Sequence, residues 1–93
     1  MKYNCSKHGC FVESQVTENK YYVTRKRIFV ISTRGTLIKK LELPIKNDDV
    51  IGFSFMYFNG NNMIAIILMQ DYYDRKAVLN EDTLAFGEVK LFK

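Results

Sequence analysis

The chain has 93 residues, with no tryptophan, one proline, one histidine and two cysteines. A structural zinc ion takes four ligands, so a closed site here would need an acidic fourth ligand or a second chain. No Gly-x-Ser-x-Gly elbow and no phosphate-cradling glycine loop occur, and the carboxylates Asp48-Asp49, Asp71, Asp74 and Glu81-Asp82 fall in segments whose turn chemistry accounts for them. The expectation is a protein that is not an enzyme and holds neither cofactor nor metal. Long hydrophobic runs are also missing. The longest, Met63 to Met69, is seven residues, against about 20 for a membrane-spanning helix. The amino terminus, Met1 to Gly9, lacks the apolar stretch of a secretory signal. A cytoplasmic location is therefore expected, with no membrane association.

What is present is enough to build a core. Hydrophobic residues make up 47% of the chain and aromatics 14%, against 26% charged residues, which is not the composition of a disordered segment. At this length one domain covering residues 1–93 is expected. Charge is uneven. Residues 1–46 carry ten Lys/Arg against Glu13, Glu18 and Glu42, a balance of +7, while residues 47–93 carry four bases and seven acids, a balance of −3. A positive half attracts phosphate backbones or acidic partners, including the acidic half of another copy.

The cysteines sit close together in Cys5-Ser6-Lys7-His8-Gly9-Cys10. Free structural thiols are the expected state, since a disulfide would close a very short loop and such loops give the smallest entropic stabilisation. A disulfide, a shared metal site and a Cys/His nucleophile are the alternatives.

Helix signals are poor. Val, Ile, Thr, Tyr and Phe collect in short runs separated by Gly, Asn and Asp, the pattern of strands and turns. Strands are expected near Cys10–Val16, Tyr21–Thr24, Arg27–Ser32, Leu37–Leu43, Val50–Phe58, Met63–Met69, Ala77–Leu79 and Leu84–Phe92. The runs Ile28–Ile31 and Met63–Met69 suggest burial on both faces. In Leu37–Leu43 the leucines point one way and Lys40 and Glu42 the other. Asn59-Gly60-Asn61-Asn62 is the strongest hairpin signal, because Asn-Gly tolerates two successive positive φ angles. The expected fold is all-β, with antiparallel meanders of about eight strands forming two four-stranded, blade-like repeats at about 10–45 and 50–92. A single small sandwich or barrel is the alternative.

Sliding the chain on itself by 48 residues sets Arg27 on Arg75, Val30 on Val78, Leu41 on Val89 and Leu43 on Leu91. Four-stranded units of about 40 to 50 residues mark β-propeller blades. In Ile28 to Ser32, Thr33-Arg34-Gly35 and Thr36 to Leu41, the chain resembles the outer strands and turn of such a blade. Ala77 to Leu84 is similar. The resemblance implies a non-enzymatic binding or scaffold module working as a homo-oligomer, with a protein or small ligand at a rim of loops. The candidate binding residues are Tyr21, Tyr22 and Arg25 in the first half, with Tyr72, Tyr73 and Arg75 in the second. The alternative is a small basic barrel binding single-stranded nucleic acid, since Lys20 to Arg27 interleaves aromatic and basic residues.

Overall fold

The computed structural model describes residues 3–6, 9–70 and 73–92. Its strands in chain order are β1 (Tyr3–Ser6), β2 (Gly9–Glu13), β3 (Lys20–Val23), β4 (Arg27–Ile31), β5 (Leu37–Glu42), β6 (Val50–Asn59), β7 (Asn62–Met69), β8 (Arg75–Asn80) and β9 (Ala85–Leu91). They form two antiparallel meanders, β1 to β5 and β6 to β9. The all-β, two-sheet fold is as expected. An additional strand, β1, extends the first sheet to five. Its run Tyr3 to Ser6 is too polar to read as a strand by hydrophobic pattern, and it is recruited by pairing with β2.

One core lies between the sheets. The first sheet contributes Val12, Tyr21, Val23, Ile28, Val30 and Leu41, and the second Phe53, Met56, Met63, Ala65, Ile67 and Leu79. β6 packs across β1 to β4. At the centre of that crossing the N–H of Phe53 donates to the carbonyl of Arg25 in the β3–β4 turn, at 2.9 Å. Gly52 permits this approach. Its φ is +148°, and a Cβ there would lie 2.2 Å from the Arg25 carbonyl oxygen, so only glycine fits.

Turn chemistry follows the sequence with one shift. The β6–β7 loop is Gly60-Asn61, and Gly60 alone has positive φ, +64°. That matches a II′ turn, with glycine first, rather than the I′ turn suggested by Asn-Gly. The β4–β5 turn carries Gly35 at φ +84°, with the Ser32 carbonyl accepting from Gly35 N–H and its Oγ from Thr36 N–H.

Three expectations are corrected. Ile28 and Val30 are buried, but Phe29 and Ile31 between them are only half-buried, so β4 is covered fully on one face. Leu37 does not point inward with Leu41. The ladder shifts register between Val30 and Ile31, leaving Ile38 as an extra residue, and Leu37 turns outward with 48% of its surface exposed. Lastly, Cys10 is disulfide-bonded rather than free. Cys5, the only other cysteine of the sequence, lies directly across the ladder from it. The short loop is no obstacle, because the hairpin has already closed it. Directly opposed residues of an antiparallel pair stand about 4.5–5.5 Å apart, within the span a disulfide bridges.

Candidate functional site

Pairing register sets Phe11, Tyr22, Phe29 and Lys40 side by side across β2, β3, β4 and β5. Inward-facing Val12, Tyr21, Val23, Ile28, Val30 and Leu41 alternate with them along the strands, so all four lie on the outward face. The ring centroids of Phe11 and Tyr22 are 4.6 Å apart and those of Tyr22 and Phe29 are 6.1 Å apart. Phe11 is 46% exposed, a large fraction for an aromatic ring on the middle strands of a sheet. Lys20 and Arg27 stand on the same face, two residues along their strands from Tyr22 and Phe29. Arg27 pairs with Glu42 at 3.4 Å. Glu13 stands opposite Lys20 on this face, so the row of three aromatics is continued by Lys40 and flanked along the strands by charges of both signs.

Of the residues the sequence nominated, Tyr22 belongs to this row. Arg25 does not belong to the row: it sits in the β3–β4 turn, at the end of those two strands, with its carbonyl tied to Phe53. Tyr21 does not: it has no exposed surface and packs between the sheets, where the alternation of β3 must put it. Tyr73 is exposed in the β7–β8 connection, and Arg75, at the start of β8, donates to the Tyr73 carbonyl. These two lie with the second sheet and are not brought beside Tyr22. Tyr72 lies outside the described residues, as does His8. Among the described residues no three ligating side chains cluster as a metal site would require.

The row contains residues that the sequence did not nominate, namely Phe11, Phe29 and Lys40. They are 29 positions apart from first to last. Only the strand register joins them, and register depends on where each turn closes.

A second constellation ties the sheets together. The Tyr21 hydroxyl donates to Glu81 Oε1 at 2.7 Å, and the Thr17 hydroxyl reaches the same oxygen at 3.3 Å. Burial, reinforced by that bond and the carboxylate's charge, raises the Tyr21 pKa far above its ordinary value of 10.0. The two partners come from turns of the same build. Ser14 Oγ accepts from the N–H groups of Val16 and Thr17, and Asn80 Oδ1 accepts from those of Asp82 and Thr83. Each turn closes on a residue with positive φ, Glu18 at 63° and Leu84 at 55°. An open cleft beside it is lined by Val16, Asn62, Val78 and Glu81. A protonated tyrosine bound to a carboxylate, with no histidine or thiol bonded to it among the described residues, is a structural link. It presents no nucleophile.

No family model matches the chain, no curated protein matches it and no solved structure matches its fold.

Proposed function

We propose that this chain is a non-enzymatic binding module whose contact surface is the outward face of the five-stranded sheet. The observation that carries this reading is the row Phe11–Tyr22–Phe29, continued by Lys40, on a face that the chain leaves partly open. Aromatic side chains give large contact area at low entropic cost, and they mark contact surfaces when exposed in a group. A titration of the 15N-labelled protein with a library of small aromatic and anionic fragments tests the proposal. Shifts should gather on residues 11, 22, 29 and 40. Shifts gathered on the cleft at Val16 and Glu81, or on no surface at all, would overturn it.

A competing reading is the propeller-like scaffold, supported by the outward face of the second sheet. Ile64 and Ile66 are buried there although they point away from the core, beside Phe55 and Tyr57 of β6 and Val78 of β8, itself 41% exposed. Copies stacked head to tail would cover this face with the first sheet of the next chain, and the +7 and −3 halves are complementary in charge. Such a ring would bury the aromatic row. Light scattering therefore separates the readings: a monomer near 10.9 kDa leaves the row open, and a ring closes it.

The disulfide at Cys10 supports an oxidising compartment over the cytoplasm. Mass spectrometry of protein isolated under alkylating conditions checks this, and two alkylated cysteines would restore the cytoplasmic reading.

A further inference from the structure

We infer that the ligand of the outward face of the five-stranded sheet is a single-stranded nucleic acid, its bases stacked on Phe11, Tyr22 and Phe29 and its phosphates held by Lys20 and Lys40. The inference rests on the binding-module reading and adds the ligand class.

Three features select this chemistry. First, the aromatics form a row at right angles to the strands, with ring-to-ring steps of 4.6 and 6.1 Å. Both steps exceed the rise of about 3.4 Å between stacked bases of a strand, so each ring meets a base that has left its neighbour. A duplex hides its base faces in its own stack and offers such a row nothing. Second, the row is continued by a cation, Lys40, while its other flanking cation, Lys20, stands opposite the exposed Glu13 on the same face. Lys40 stands directly opposite Phe29, and Lys20 lies two residues from Tyr22, both exposed. A neutral sugar would stack on the rings but would leave the Lys40 ammonium group unmatched. Third, the sheet belongs to the half of the chain with balance +7, which draws a polyanion to this side of the molecule. An acidic peptide would answer the charge and leave the aromatic row unused.

The probe is a fluorescein-labelled oligothymidylate of about eight nucleotides, a length within the span that single-strand modules occupy, followed by fluorescence anisotropy. Saturable binding is expected, with the same sequence in duplex form bound at least about tenfold more weakly. Phe11→Ala and Phe29→Ala should each weaken binding roughly 5- to 150-fold, the range that loss of one stacked base produces. Lys20→Gln and Lys40→Gln should each reduce the slope of log K against log salt by about 0.7. Circular dichroism melts verify folding, and Phe29→Leu, which keeps an apolar side chain but no ring, serves should Phe29→Ala melt early. No binding by the oligonucleotide, or equal binding of duplex and single strand, overturns the ligand assignment. If fragments still map to residues 11, 22, 29 and 40, the module reading survives that result. Oligonucleotide binding that is indifferent to all these substitutions overturns both.

Discussion

The two sheets solve the same packing problem unequally. In the second, β7 buries every residue from Met63 to Ile67, on both faces. In the first, β4 alternates strictly between buried and half-buried residues, and its outward side carries rings and cations. The difference arises from what flanks each strand. The outward neighbours of β7 are Phe55 and Tyr57 of β6, 6.0 Å apart, together with Val78 and the half-buried Lys76 of β8, so the isoleucines are flanked chiefly by apolar side chains of their own sheet. The outward neighbours of β4 are Tyr22 and Lys40, whose polar ends need water. A sheet face can therefore be apolar and closed, or aromatic and presented, within one small fold.

The junction of the two sheets is where a single atom has the largest expected effect. Gly52→Ala would place a methyl group on the Arg25 carbonyl oxygen, in a backbone region that residues with side chains avoid. The Phe53–Arg25 hydrogen bond would have to break as well. A loss of about 3–5 kcal/mol is expected, enough to unfold much of a small domain. Urea denaturation measures it, and a loss under about 1 kcal/mol would show that β6 and the β3–β4 turn are not docked.

The contrast between the outward faces is itself measurable. Ile66 is 1% exposed and Phe11 is 46% exposed, yet both point away from the core. Ile66→Ala should cost about 2–4 kcal/mol, the range for a buried aliphatic truncation. Phe11→Ala should cost less than about 1 kcal/mol, because much of its ring already meets water. Equal losses would mean that the aromatic row is as structural as β7, and would remove the reason to assign it a contact role.

The polar link between the sheets gives a pH signature. Below pH 10, Tyr21 is protonated in folded and unfolded chains alike. Above it, the unfolded chain releases the Tyr21 proton while the folded chain keeps it, since burial and Glu81 raise the folded pKa from its ordinary 10.0. The folded state then binds more protons, and stability falls as pH rises. Tyr21→Phe should cost about 1–2 kcal/mol at neutral pH through the lost bond to Glu81 and should flatten the decline above pH 10. An unchanged alkaline slope in the variant would exclude Tyr21 as its source.

Much of this architecture is legible in the sequence, and the exceptions have a common cause. Run lengths and Gly/Asn punctuation locate β2 to β9 to within a few residues. The faces are harder, because one extra residue reverses them. The extra residue at Ile38 turns Leu37 outward. The slide of 48 residues likewise sets inward Ile28 and Val30 on outward Lys76 and Val78. The aromatic row is not legible for the same reason, since three rings on three strands become neighbours only once every register is fixed. Tyr21 and Tyr22 look alike in the sequence, and alternation in β3 sends one to the core and the other to the surface. The disulfide is hidden for another reason: loop entropy argues against it, and only the pairing that sets Cys5 opposite Cys10 reveals it.

The smallest expected effect compares the two matching turns, one from each sheet. Glu18 and Leu84 both occupy the left-handed region, at φ 63° and 55°, which costs a residue with a side chain about 1–2 kcal/mol. Glu18 is exposed, whereas Leu84 is partly buried against the core. Glycine at either position relieves the strain but adds freedom to the unfolded chain, worth about 0.5–1 kcal/mol. For Glu18→Gly nothing else is lost, so a net gain of about 0.5 kcal/mol is expected. For Leu84→Gly the apolar contact goes too, at about 1–2 kcal/mol for a half-buried leucine, and the net sign reverses. Thermal melts of the two variants should therefore move in opposite directions. A stabilising shift in both would mean that Leu84 contributes no packing, and that the second sheet's turn is held by its Asn80 hydrogen bonds alone.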